Sequence, residues 1–237
     1  MTHGRVLKND WTTDEIDEII ADYKAVTIPV SISFEGRQRV LNLKEAEKIL
    51  RKARVISVGQ CECRVKLKNC DAPTDVCLMV DHSAEKSIQE GARRISVPEA
   101  IEILKKSHQA GLVHMAYEMK DHQLEALCSC CSCCCHTMSA MTRFGYEGVV
   151  GCSGLIAEHD RSSCDDCGIC AERCQFGAWG FVNDEIRFYP PRCAGCGICA
   201  SSCPTHSIKL VKRTGVSKRG WKRPAKLDLS GMAGAKK

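Results

Sequence analysis

Twenty-nine residues separate two copies of one cysteine pattern, and that duplication constrains how the chain around it can fold. Cys164, Cys167, Cys170 and Cys174 form the first copy. Cys193, Cys196, Cys199 and Cys203, followed by Pro204, form the second. Each reads C-x2-C-x2-C-x3-C. Three thiolates on one tight loop cap three corners of an iron–sulfur cubane, and the fourth corner must be reached from elsewhere in the chain. The repeat extends beyond the sulfurs: Gly168 and Ile169 recur as Gly197 and Ile198, and Ala171 recurs as Ala200. Glycine at these positions permits unusual φ and lets backbone N–H groups approach sulfur closely. Paired zinc sites are the plain alternative, since C-x2-C also binds zinc. Four cysteines per run, twice and in register, exceed what zinc requires.

On these residues the segment from Asp160 to Val211 resembles the bacterial-type dicluster ferredoxins. The resemblance implies a pseudo-twofold module over residues 155–211 holding two [4Fe–4S] clusters, the fourth cysteine of each run serving the other cluster. Cys164, Cys167, Cys170 and Cys203 would hold one, and Cys193, Cys196, Cys199 and Cys174 the other. One departure is Gln175, where the family has proline. It loosens the turn after Cys174 and adds a backbone N–H, but removes no ligand. His206 follows Cys203 closely and is expected near the first cluster, where it could tune the potential.

The module takes about fifty of the 237 residues, so the chain has room for one or two domains. Nineteen cysteines would suggest a disulfide scaffold in a short secreted chain. Their clustering opposes that, because neighbouring cysteines do not meet disulfide geometry easily. Metal ligation in a reducing compartment fits better. Met1 to Lys24 has no apolar signal core, and the weakly polar stretch from Gly148 to Ala157 is too short to span a bilayer. A soluble, cytoplasmic protein is expected.

Residues 1–150 read as a small α/β domain, giving an α+β chain overall. Thr12 and Glu15 form a capping box ahead of Ile16, Ile19, Ile20 and Tyr23 at helical spacing. Val26, Ile28, Val30, Ile32 and Phe34 alternate as a half-buried strand, and Pro29 places it at an edge. Asn42 and Glu45 open a second helix carrying Leu43, Ala46, Ile49 and Leu50. A strand over Val55 to Val58 leads into Cys61. Ser96 and Glu99 cap a further helix with Ala100, Ile101, Ile103 and Leu104, ending at Gly111.

Two cysteine groups interrupt this domain. Cys61, Cys63, Cys70 and Cys77 lie on a stretch leaving a strand, enough for one [4Fe–4S] cluster or one zinc. Arg64 among them could lower thiolate pKa values. Cys128, Cys130, Cys131, Cys133, Cys134 and Cys135, followed by His136, exceed the needs of one metal. Adjacent cysteines cannot all point at one ion, so some pack and others bind a second site or stay free. Cys152, alone, reads as a buried small hydrophobe.

The C-x-C-R and N-C-D-A-P strings, the turn from Gly111 to His114 and the cysteine-saturated segment before the duplicated run together resemble a family of bacterial 4Fe–4S-binding proteins of anaerobes. The resemblance implies electron transfer. It also implies that the two N-terminal cysteine groups belong together as an extra metal site. By ligand type, a third iron–sulfur centre, zinc, or no metal remain open there.

Charge is concentrated at the end. Lys212 to Lys237 holds nine Lys/Arg and one acid, against a net +5 for the whole chain. This tail over 212–237 reads as a flexible basic extension, or as a dock for an acidic redox partner with Trp221 as anchor. It comes with no nucleic-acid module, so nucleic acid is not the expected partner. No dinucleotide fingerprint, P-loop or nucleophile elbow is present. The first expectation is therefore an electron-transfer protein or oxidoreductase subunit. The alternatives are a redox enzyme with its metal centre on the N-terminal cysteines, and a metal-sensing or assembly protein holding zinc there.

Overall fold

The computed structural model describes residues 7–22, 38–118, 124–146 and 149–213. The expected strand over Val26 to Phe34, Tyr23, and the tail from residue 214 onward lie outside them.

Helix α1 (Thr13–Asp22) starts as its capping box dictates, with the Glu15 N–H donating to Thr12 Oγ1 at 3.2 Å. Asn42 and Glu45 cap α2 (Leu43–Leu50) reciprocally, each bond 3.1 Å long. Ser96 caps α5 (Val97–Gln109) through the Glu99 N–H. Gly111, at φ +79°, turns the chain out of that helix in a conformation only glycine adopts freely. The strand before Cys61 runs Ile56–Gln60 rather than Val55 to Val58.

Six strands form one sheet in the order β1-β5-β6-β3-β2-β4. They are β1 (Gln38–Leu41), β2 (Ile56–Gln60), β3 (Asp75–Val80), β4 (Arg93–Ile95), β5 (Val113–Glu118) and β6 (Leu124–Cys130). Every pairing is antiparallel. The helices therefore do not serve as parallel crossovers, and the domain is a mixed helix-and-strand body rather than a parallel α/β one.

Strand alternation sorts side chains to two faces. Ile56, Val58, Leu78, Val80 and Leu127 meet Ala46 and Leu50 of α2 and Ala100, Ile101 and Leu104 of α5. Leu50, Leu78, Leu104 and Leu127 are fully buried, each contributing about 1.5–3 kcal/mol by removal from water. On the opposite face Ser57 meets Ser87 of α4 (Asp81–Gln89), Oγ to Oγ at 2.6 Å. The same face carries Cys77, Cys128, Met115, Val113 and Cys130, by register with one another.

Residues 149–213 lie against that second face. Val113, Met115 and Cys130 pack there with Met138 and Met141 of α6 (His136–Thr142), and with Phe176, Ala194 and Ile198. The segment contains two two-stranded pairs, β7 (Leu155–His159) with β10 (Ile208–Lys212) and β8 (Trp179–Val182) with β9 (Glu185–Phe188). Between them sit two five-residue helices, α7 (Ile169–Arg173) and α8 (Ile198–Ser202). Among the described residues no helix is long and apolar enough to cross a membrane.

Candidate functional site

The two halves of the cysteine repeat fold alike. Each three-cysteine loop follows a short 3-10 turn, Arg161–Ser163 or Pro190–Arg192. Each ends on a left-handed glycine, Gly168 at φ +78° and Gly197 at φ +86°, that opens a helix. Cys170 and Cys199 are buried on those helices, and Cys174 and Cys203 leave them in extended conformation. Asp166 and Gly195 occupy equivalent places, and both have positive φ, +56° and +75°. Asp166 meets its strain with hydrogen bonds from the Ile186 N–H and from Arg161. At Gly195 a Cβ would lie 2.2 Å from both the Leu155 carbonyl and Ser153 Oγ, so no other residue fits.

The fourth cysteines, Cys174 and Cys203, pack in one layer with cysteines of both loops. Burial and then the charge of Cys193 push the Cys174 thiol up. Burial and then Cys174 push Cys196 up to about 12. Cys199 is raised by burial and by Cys196, Cys174 and Cys193. Cys203 instead bears on Cys167, whose loop companion Cys170 is raised to about 12 by burial, with Cys164 and Cys167 adding to it. Opposing burial, hydrogen bonds shared with Ser207 (3.1 Å) and Thr205 (3.5 Å) draw the Cys203 thiol down. The Ala178 N–H donates to Cys174 Sγ at 3.3 Å.

The two quartets are not equally enclosed. Cys167 is exposed and Cys164 and Cys203 are half-buried. Cys193 and Cys199 are buried, and Cys174 and Cys196 pack into the apolar layer beneath the antiparallel sheet. Arg213 donates to the Cys193 carbonyl at 2.6 Å and the Leu155 carbonyl at 3.0 Å, so the contacts of this unit extend two residues past the expected boundary at 211. His206 is exposed and touches Cys203 through its backbone N–H. Half-buried His159, given no role from sequence, stands edge-on to Trp179 with ring centroids 5.2 Å apart. Cys152 is half-buried against the same apolar layer.

Neither N-terminal cysteine group keeps to itself. Cys70 leaves its sequence neighbours and joins Cys131, Cys133 and Cys134, the four sulfurs all lying within 4.8 Å of one another. The other six form a second, continuous set. Cys77 meets Cys128 across strands β3 and β6 at 3.9 Å, and Cys128 and Cys130 share a face of β6. Cys135 bridges to Cys130 on one side and Cys63 on the other, and Cys63 to Cys61. His136 Nδ1 lies 3.1 Å from Cys63 Sγ. The structure thus brings the two N-terminal groups together, as expected, with Cys70 beside Cys131, Cys133 and Cys134 rather than beside Cys61, Cys63 and Cys77. Cys63 lies on helix α3 (Glu62–Leu67) and Cys70 beyond its end, and the two meet different partners.

Side chains without a metal-ligand signature complete the site. Arg64 is only 2 % exposed, and its Nη1 donates to the Ser129 carbonyl at 2.9 Å and reaches Cys131 Sγ at 3.7 Å. Burial opposes its charge, yet the Cys61, Cys131 and Cys130 sulfurs outweigh that and raise its pKa. Tyr117 Oη lies 3.8 Å from Cys135 Sγ and 4.0 Å from Cys130 Sγ. Gln175 Oε1 accepts from the Ser132 N–H and Oγ, and its Nε2 donates to the Gly111 carbonyl at 3.0 Å. The departure from proline at 175 was visible in the sequence; the distant partner of that amide was not.

Residues 186–209 match the 4Fe-4S binding domain family. No curated protein and no solved structure matches the chain. The match identifies a ferredoxin-type iron–sulfur domain that includes Cys193, Cys196, Cys199 and Cys203, of a kind that serves electron transfer.

Proposed function

We propose that the protein carries single electrons through two [4Fe–4S] clusters in its C-terminal module, to or from a partner oxidoreductase of anaerobic metabolism. The observation that carries this reading is the pair of like-folded cysteine repeats, in a chain whose residues 186–209 match a 4Fe-4S binding domain. An exchange of fourth cysteines between the two clusters is part of the proposal. The donor set fits the group. Each quartet offers four thiols and no harder ligand, left-handed glycines bring backbone amides close, and the Ala178 N–H already points at the Cys174 sulfur. When bound, such a cluster supplies one-electron redox chemistry, its potential set by charge, hydrogen bonds to sulfur and exposure.

The chain makes the two sites unequal in each of these respects. Cys167 is exposed; a hydrogen bond from the Ile169 N–H draws its thiol down, and burial and then the Asp165 carboxylate outweigh that and raise it. Cys193 and Cys199 are buried, and Cys174 and Cys196 are half-buried against the apolar layer of the antiparallel domain. In this reading the outer quartet, with exposed Cys167, exchanges electrons with a partner, and the inner one serves the antiparallel domain it packs against. Iron and acid-labile sulfide analysis of anaerobically purified protein tests the loading. About eight irons per chain match two cubanes, and about four would remove one of them.

A second reading is favoured by one observation. Cys128, Cys130 and Cys135 of the six-sulfur set pack in the same apolar layer as Cys174 and Cys196. A redox centre on Cys61, Cys63, Cys77, Cys128, Cys130 and Cys135 would then be served directly by the inner cluster, making the protein an enzyme or enzyme subunit. About twelve irons, with a centre able to bind small ligands, distinguish this reading from simple relay.

A further inference from the structure

We infer that Cys70, Cys131, Cys133 and Cys134 form a mononuclear tetrathiolate site for a zinc-class divalent cation, separate from the iron–sulfur chemistry of the chain. Four thiolates around one zinc, with Zn–S near 2.3 Å, stand about 3.8 Å apart along each tetrahedral edge. Cys70 Sγ lies 3.8 Å from Cys131 Sγ, and Cys133 Sγ 3.9 Å from Cys134 Sγ. No pair in the group exceeds 4.8 Å, and this is the one such group among the described residues. A cubane places each thiolate on its own iron and spreads the sulfurs wider than a single ion does.

The backbone is shaped to present these sulfurs. The Cys135 and Cys134 N–H groups both return to the Cys131 carbonyl, at 3.0 and 3.4 Å, curling the turn so that positions 131, 133 and 134 converge while 130 and 135 point to the other set. The turn's other groups are held by side chains. Asn69 Nδ2 donates to the Cys133 carbonyl at 2.8 Å, and Trp11 Nε1 to the Cys134 carbonyl at 2.9 Å. Arg143 donates to the Ser132 carbonyl. Three of the four sulfur-bearing residues are at most 2 % exposed. A divalent ion with four thiolates keeps a charge of −2, and the buried guanidinium of Arg64 beside Cys131 offsets part of it. Arg64 forms no ion pair with a carboxylate among the described residues, so the sulfurs are its counter-charge. The site would staple the loop after α3 to the turn before α6, a closed structural zinc of four cysteines with no open position.

The test is elemental analysis and X-ray absorption at the zinc edge on the anaerobically purified full chain, which does not depend on any variant folding. About one zinc per chain in an all-sulfur first shell, with no iron neighbour, is expected. Iron occupying this site, or zinc with oxygen or nitrogen ligands, would overturn the assignment. Cys133→Ser should lose most of the zinc while Cys77→Ser keeps it; the reverse pattern also overturns the assignment. Iron content and the reduced-cluster spectrum of the same samples report on the electron-transfer reading separately.

Discussion

Gln175 Oε1 accepts two hydrogen bonds from Ser132, from its N–H at 2.9 Å and its hydroxyl at 2.8 Å. The pair joins the two cysteine-rich halves of the molecule at one point. Ser132 lies between Cys131 and Cys133, and Gln175 follows Cys174. The turn bearing the proposed tetrathiolate site and Cys174, the proposed inner-cluster ligand, are thus one residue away from the same contact.

Gln175→Ala should therefore weaken the union of the two halves. It leaves the buried Ser132 N–H and the Gly111 carbonyl without their partner, at a cost of about 1–3 kcal/mol. In a chain of this size the melting temperature falls by about 2–4 °C for each kcal/mol. Calorimetry on anaerobic protein checks this. An unchanged melting temperature would mean that the contact contributes nothing.

Crossed ligation makes a prediction that runs against sequence proximity. Cys203→Ser should damage the cluster held by Cys164, Cys167 and Cys170 and leave the one held by Cys193, Cys196 and Cys199. Mössbauer or paramagnetic resonance spectra of the variant distinguish them, since the outer quartet includes the exposed Cys167 and the inner one has no exposed cysteine. Loss of the inner cluster instead would refute the crossing.

Acid should loosen the junction between the halves through two histidines. His108 and His114 are stacked with ring centroids 5.6 Å apart, and His108 Nε2 meets Ser201 Oγ of α8 at 2.7 Å. Burial, then the His108 charge, lowers the His114 pKa to about 3 from 6.5. Burial, then Arg173, lowers that of His108. For His114 the unfolded chain thus binds more protons across roughly pH 3 to 6.5, and stability declines as pH falls through that window, by up to about 1.4 kcal/mol per unit. The lowered His108 acts in the same direction. His114→Gln should flatten the decline in melting temperature between about pH 7 and 5. An undiminished slope would place the pH dependence elsewhere.

Arg213, within the basic segment expected to be a tail, holds carbonyls of the module. A chain ending at Arg213 should keep both cluster signals and bind an acidic redox partner more weakly at low salt. A chain ending at Val211 should also disturb the inner cluster, because Arg213 holds the Cys193 and Leu155 carbonyls. Partner affinity unchanged by the first truncation would make the tail a passive extension.

Much of this was legible in the residues themselves. Spacing alone located the repeat, and the capping pairs Thr12/Glu15, Asn42/Glu45 and Ser96/Glu99 located three helices, because caps and cysteine loops are local codes. The partition of the ten N-terminal cysteines was not legible. It depends on strand register, which sets Cys77 opposite Cys128, and on a turn that sends Cys131 and Cys130 to different sides. The antiparallel order of the sheet was hidden for the same reason. Gln175 read as a loosened turn because its partner Ser132 lies 43 positions away.

Reductive titration of the anaerobically purified protein, followed by electron paramagnetic resonance, tests the central claim most directly. The account predicts uptake of one electron per cubane and two low-potential signals broadened by mutual spin coupling, as neighbouring clusters in one small module require. A protein that takes up no electrons in this range, or shows a single isolated cluster, would contradict it.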